Sequence, residues 1–234
     1  MRQQARPTGT RRALRLRCAA SHVALPPSQL HYFPGRGQAE PCRWVLAATQ
    51  HSFVDVKLEN AEQVRSLFCH PSTAKSQAVT PPTSLAMLAL PVFDDATTGI
   101  RVVHANAIVR HTARSASILG FDPRETAAVD QVVEACAAFR SVLLRLPFEE
   151  EGARASCAAA WRRCAPPLER LLLRAAPSGW IAGGERHTVA DVLVAEVTHS
   201  FSELFGDFVR VHMLCCYTHQ TVLTQTPSQR EGAR

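Results

Sequence analysis

Hydrophobic and polar positions follow different patterns in the first and second parts of this chain. In the first part, short runs with strand character alternate with stretches of helical spacing. Strands are predicted at 30–33, 53–58, 88–93 and 100–103, and helices are predicted to begin at Ala39, Ala61 and His104. After Asp122 the strand-like runs stop, and apolar residues recur at intervals of three and four. The expected fold class is therefore an α/β domain followed by an all-α domain.

The stretch 30–49 has the most definite local pattern. Its strand is broken by Pro34, Gly35 and Gly37, and an amphipathic helix follows with a proline tolerated in its first turn. Tyr32 therefore lies at a strand-to-helix turn, close to a helix N-terminus that favours anions. The apolar positions predicted for this helix are Trp44, Val45, Ala47 and Ala48.

The second part of the chain predicts long helices. One apolar stripe consists of Val129, Val132, Cys136, Phe139 and Leu143, and a second consists of Trp161, Leu168 and Leu172. Thr188 is a good N-cap, and Asp191 three residues later completes a short capping box. The stripe expected after that box is Val194, Val197, Phe201 and Leu204.

The charge and cysteine content narrow the possible functions. The net charge is +6, but residues 1–28 hold six arginines and no acid, so the rest of the chain is neutral and lacks a basic stripe. Nucleic-acid binding is not expected. No apolar run reaches the length of a membrane span. The eight cysteines form no C-x-x-C pair, which favours a reducing intracellular compartment over a disulfide framework.

Residues 1–28 differ in composition from the rest of the chain. They are rich in arginine, free of acids and closed by Pro26 and Pro27, which is typical of an organelle transit peptide. An unstructured extension, or translation begun too early in a gene prediction, explains the same composition. The expected location is cytoplasmic, or a chloroplast or mitochondrion if the leader is a transit peptide.

The stretch 30–49 resembles the start of the cytosolic glutathione transferases, above all the alpha and sigma classes. The shared residues are Tyr32-Phe33, Arg36-Gly37, Ala39-Glu40-Pro41 and Arg43-Trp44. Leu90-Pro91 resembles the cis-proline step of that family, and the Thr188 box resembles its cap before a buried central helix. The resemblance covers roughly residues 30–205.

This resemblance implies a thioredoxin-like domain at 29–115 and an all-helical domain at 122–210, with a leader at 1–28 and an irregular tail at 211–234. It also implies a homodimeric glutathione transferase that joins the glutathione thiolate to hydrophobic electrophiles. Glutathione would be a co-substrate, with no separate cofactor.

In the family, the hydroxyl of the tyrosine at the position of Tyr32 donates a hydrogen bond to glutathione sulfur. The glutathione-binding residues that the resemblance implies are Tyr32, Gln38, Ala89, Leu90, Pro91, His104 and Ala105. Three positions depart from the family pattern. Gln38 stands where arginine is usual, Ala105 stands where a hydroxyl residue is usual, and Ala138 stands where the alpha class has aspartate.

These departures leave other functions open. A non-catalytic relative with a structural or ligand-carrying role is one alternative, and a sigma-type prostaglandin isomerase is another. Cys42 lies one turn into the first helix, which raises the alternative of a cysteine nucleophile. His212, Cys215, Cys216 and His219 share a helical face with ligand types suited to zinc, but a single helix rarely lets four side chains converge, and no metal is expected.

Overall fold

The computed structural model describes residues 26–68, 89–148, 152–175, 178–182 and 184–206. Its strands are β1 (Ser28–Tyr32), β2 (Phe53–Lys57), β3 (Val92–Asp95) and β4 (Ile100–Val103). Its helices are α1 (Glu40–Ala48), α2 (Ala61–Phe68), α3 (Ala105–Ser115), α4 (Pro123–Leu143), α5 (Ala153–Arg174) and α6 (Val189–Phe205). A short 3-10 turn, Gly37–Ala39, leads into α1.

The strands form one mixed sheet in the order β2-β1-β3-β4. β1 pairs in parallel with β2 and antiparallel with β3, and β3 continues antiparallel to β4. Leu30 and Phe93 are register partners on the two central strands, and both are completely buried. The predicted class, a thioredoxin-like α/β domain followed by helices, is confirmed.

Several predicted boundaries of β1 and β3 are wrong. β1 begins at Ser28, which was assigned to the leader, and its side chain is buried against the sheet. The same strand ends at Tyr32, and the next residue, Phe33, is 46% exposed. β3 begins only at Val92, because Pro91 has no amide hydrogen to donate to a neighbouring strand.

The buried face of α1 also differs from the prediction. Ala47 and Ala48 are exposed, whereas Cys42, Val45 and Leu46 are completely buried. Positions three and four apart lie on one helical face, and Cys42 fixes which face that is. The predicted set began two residues too late because it was anchored on Trp44, which is only half-buried.

The helical part packs around aromatic rings, as the periodicity predicted. The rings of Trp161 and Phe201 stack at 4.3 Å between centroids, and Phe139 lies 5.1 Å from Trp161. All three side chains are buried, so α4, α5 and α6 share one core. Leu204, predicted to extend the α6 stripe, is instead 42% exposed.

The capping box at the start of α6 is present and deeply buried. One carboxylate oxygen of Asp191 accepts hydrogen bonds from the backbone amide and the hydroxyl of Thr188, at 2.7 and 3.0 Å. The other oxygen accepts from the amide of Ile181 at 2.8 Å. The amide of Val189 donates to the carbonyl of Ile118 at 2.9 Å, which ties the box to the segment after α3.

Some predicted features lie outside the described residues. These are the whole of the stretch 69–84, where Pro71, Pro81 and Pro82 predict a surface loop, the tail 211–234 and the set His212, Cys215, Cys216 and His219. Within the described ranges, no group of three or more histidine, cysteine or acidic side chains could hold a metal ion. None of the helices in those ranges is both long enough and apolar enough to cross a bilayer.

Replacing Asp191 with alanine is expected to destabilise the protein strongly. The change removes a charged acceptor and leaves two buried backbone amides, those of Ile181 and Thr188, without their bonds. The expected loss is about 3 kcal/mol of unfolding free energy or more. Chemical denaturation followed by far-ultraviolet circular dichroism measures it.

Asp122→Ala provides the control. Asp122 caps α4 by accepting a bond from the amide of Glu125, but it is exposed to solvent. Its loss should cost about 1 kcal/mol. Equal losses for the two variants would show that burial of the Asp191 box adds nothing to ordinary capping.

Candidate functional site

Tyr32 is the last residue of β1, and the turn that follows folds back onto its ring. The amide of Gln38 donates to the phenol oxygen of Tyr32 at 3.0 Å. Gly37 has a positive φ of 49°, and a Cβ there would lie 2.5 Å from the Cε1 and Oη atoms of Tyr32. Only glycine permits this contact, so the turn backbone fixes the position of the phenol.

Arg43 of α1 holds the same turn from the other side. Its Nη1 atom donates to the carbonyls of Gly35 and Arg36 at 3.0 and 3.2 Å. The same nitrogen donates to Glu40 at 3.0 Å, and its Nε donates to Asp55 of β2 at 2.9 Å. The turn is therefore anchored both to α1 and to the sheet.

The N-terminus of α3 lies beside the proline step. The Leu90–Pro91 peptide bond is cis, and the carbonyl of Pro91 accepts from the amide of His104 at 3.1 Å. His104 has a positive φ of 69°, and α3 begins at the next residue, Ala105. This arrangement presents the first amides of α3 and the positive end of its dipole at one edge of the sheet.

A cavity of about 310 Å³ separates these elements from α4. One wall belongs to the first domain and the other to α4. The residues lining the first wall are Gln38, His104, Ala105 and Asn106, and those lining the second are Ala137, Arg140, Ser141 and Leu144. The cavity therefore joins a helix N-terminus, which attracts anions, to a helix of the second domain.

The structure brings some of the predicted site residues together around this cavity. Gln38, His104 and Ala105 line it directly. Tyr32 is linked to it through the amide of Gln38, and Pro91 through the amide of His104. The lining does not include Ala89 or Leu90. Ala138, the third departure from the family pattern, lines a separate groove between α4 and α5.

The structure excludes Cys42 as a nucleophile. Its thiol is completely buried and donates to the carbonyl of Ala105 at 3.7 Å. Burial raises the pKa of Cys42 to about 12, although the charges of Arg140 and Arg43 act to lower it. A thiol with this pKa carries almost no thiolate at neutral pH.

Sequence reasoning missed Arg140, the one arginine of the cavity lining. Its Nε donates to Glu196 of α6 at 3.2 Å, and its Nη2 also bonds to that carboxylate. Both side chains are almost completely buried. A signal was present, because Arg140 lies four residues after Cys136 and three before Leu143 on the buried face of α4.

No protein-family model matches the chain. Individual curated proteins do match it. Rat glutathione S-transferase alpha-3 is 27% identical over 180 residues, which are 75% of this chain and 74% of the rat protein. Rabbit glutathione S-transferase alpha I is 28% identical over the same length and coverage. Human glutathione S-transferase A3 is 27% identical over 186 residues, 77% of each chain.

Solved structures share the fold. The glutathione S-transferase of Ascaris lumbricoides superposes with a TM-score of 0.66 at 23% identity, covering 88% of this chain and 95% of its own. The hookworm protein Na-GST-3 of Necator americanus, described as monomeric, gives a TM-score of 0.68 at 20% identity, covering 88% and 95%. With its thioredoxin-like domain, its tyrosine turn and these similarities, the chain resembles the cytosolic glutathione transferases in both sequence and fold.

Proposed function

We propose that this protein is a glutathione transferase that conjugates the glutathione thiolate to electrophilic small molecules. The observation that carries the proposal is the position of the Tyr32 hydroxyl. Its oxygen accepts from the Gln38 amide at 3.0 Å, which leaves the phenolic proton available for a donor role toward a bound thiol.

Tyr32 is proposed as the catalytic residue. A hydrogen bond from the phenol to sulfur favours the charged thiolate and lowers the thiol pKa from its reference value of about 8.5. The amide of Gln38 polarises the phenol, because linked hydrogen bonds strengthen one another. The thiolate then forms a carbon–sulfur bond with the electrophile, and a leaving group departs with its electron pair.

The first wall of the cavity is proposed as the glutathione site. The carboxylate of the γ-glutamyl end would lie at the N-terminus of α3 beside His104, where Ala105 and Asn106 offer backbone amides, because the amide of His104 already donates to Pro91. The backbone of Leu90, which precedes the cis-proline, would contact the cysteinyl group of glutathione. Ala89 and Pro91 would lie next to that contact. Because Ala105 has no hydroxyl, the site offers one hydrogen bond fewer than the family pattern implies.

The reaction needs glutathione as co-substrate and no metal or other cofactor, as in the family. The functional unit is proposed to consist of the thioredoxin-like domain at 29–115 and the helical domain at 122–210. A cytoplasmic location is proposed, with an organelle as the alternative if residues 1–28 are a transit peptide.

A homodimer is proposed as the functional assembly. Between α4 and α5 lies a groove of about 360 Å³ whose lining is mostly apolar. It is lined by Ala128, Gln131, Val132, Ala135, Ala138, Arg163, Cys164, Pro167, Leu168, Leu171 and Ile181. Surfaces of this composition are usually covered by a partner, and a second copy of this chain is the partner that the family implies.

Replacing Tyr32 with phenylalanine is expected to lower turnover at least tenfold at pH 6.5. The change removes one hydrogen bond to a charged sulfur, which is worth about 1.5–3 kcal/mol, and each 1.4 kcal/mol is a factor of ten. Initial rates with a generic aryl halide measure turnover, and calorimetry measures glutathione affinity. Affinity should change little, because the thiol contributes only one contact.

Unchanged turnover in the Tyr32→Phe protein would remove Tyr32 from its catalytic role. Tight glutathione binding with no turnover in the wild type would favour the non-catalytic, ligand-carrying alternative instead.

Gly37→Ala is expected to lower turnover by displacing the phenol, since the new Cβ would lie 2.5 Å from the Tyr32 ring. Gly35→Ala is the matched control. Gly35 also has a positive φ, of 137°, but no atom lies within 4 Å of a Cβ built there. Both variants carry backbone strain, so melting temperatures should fall in both, and turnover should fall much further in Gly37→Ala. Similar turnover in the two variants would show that the close contact between Gly37 and the Tyr32 ring does not position the phenol.

Light scattering tests the dimer. The wild-type protein should have twice the mass of one chain, and Leu171→Asp should shift it to a single chain, because Leu171 lines the α4–α5 groove. Leu173→Asp is the control, since Leu173 is on the same helix, 60% exposed and outside the groove. A wild-type mass of one chain would place this protein with monomers such as the hookworm Na-GST-3.

A further inference from the structure

Arg140 is a buried cation on the wall of the cavity that belongs to α4. Only 5% of the residue is exposed, and it lines the cavity opposite Gln38 and Ala105. Its Nε and Nη2 atoms bond to one oxygen of Glu196. Its third nitrogen, Nη1, makes no hydrogen bond with any residue that the structure describes.

Glu196 fixes the orientation of the guanidinium. The carboxylate is 1% exposed, and its second oxygen accepts from the hydroxyl of Ser200 at 3.3 Å. A buried ion pair of this kind gives little net stability, because desolvation of both charges offsets their attraction. Stability alone therefore does not explain why this ion pair lies beside a cavity, and a role in binding a ligand there does.

The cavity is electrostatically suited to an anion. None of its eight lining residues is acidic, and the N-terminus of α3 adds its dipole to the charge of Arg140. A guanidinium has five N–H donors, and Glu196 takes two of them. The remaining donors can bind a carboxylate without giving up the bond to Glu196.

We propose that Arg140 binds an anionic group, of which a carboxylate is the simplest case, on the electrophilic substrate. The inference rests on the proposed glutathione transferase function and specifies its substrate class. Glutathione is assigned to the first wall, beside Tyr32 and Ala105, so the α4 wall that carries Arg140 faces the second substrate. The electrophiles preferred by this site are therefore acidic aromatic or unsaturated compounds rather than neutral ones.

The test compares two conjugates that differ in one group. The probes are S-(4-carboxy-2-nitrophenyl)glutathione and its 4-carboxamide, and calorimetry measures both dissociation constants. The wild type should bind the acid about tenfold more tightly than the amide, as one charge-assisted hydrogen bond permits. In the double variant Arg140→Gln, Glu196→Gln, which removes both buried charges together, the ratio should fall close to one.

Two controls separate charge from structure. Glu196→Gln alone keeps the cation and should keep or increase the preference for the acid. Arg163→Gln removes an arginine of α5 that lines the other groove, and its ratio should equal that of the wild type. Circular dichroism and melting temperature establish that each protein is folded.

Several results would overturn the assignment. Equal binding of acid and amide by the wild type would do so, as would a preference that survives in the double variant. If glutathione still binds and is still conjugated in those cases, the proposed function stands without this substrate class. A clear preference without turnover would support the anion site and refute catalysis. If neither probe nor glutathione binds, both proposals fall.

Discussion

Burial of α6 between the two domains is the constraint on which the cavity depends. Residues 189–198 of the helix are all buried, and the helix packs against both α1 and α4. It also carries two carboxylates that pair with arginines of other elements. Glu196 holds Arg140 of α4, and Glu203 holds Arg36 in the turn after β1. The two walls of the cavity are therefore fixed relative to one shared helix.

Local sequence patterns predicted much of the fold and the central part of the site. The helical stripe of Val129, Phe139 and Leu143 is buried as its spacing required, and the start of α2 and both ends of β4 are those predicted. Capping of α6 by Thr188 was predictable because its partner lies only three residues away. Short-range chemistry determines all of these features.

Contacts between distant parts of the chain could not be predicted in this way. Arg140 and Glu196 are 56 residues apart, and Arg36 and Glu203 are 167 apart. No periodicity links such positions, and a single sequence contains no record of their pairing. The buried face of α1 was predicted incorrectly for a related reason. Trp44 of α1 contacts His199 of α6, which is far away along the chain, so the burial of Trp44 could not be read from local spacing. The predicted strand ends differ from the observed ones by up to four residues, because pairing with a neighbouring strand decides the boundary.

The close fit of Gly37 against Tyr32 has a consequence for how this protein can change. The phenol of Tyr32 takes its position from a hydrogen bond and a steric contact with residues at most six positions away. The wall made by α4 belongs to a different domain and makes no part of that arrangement. Mutations on α4 can therefore change the lining of the cavity while the position of the Tyr32 phenol is inherited intact. Because the two features lie in different domains, single substitutions on α4 can change ligand specificity without disturbing the turn that holds Tyr32.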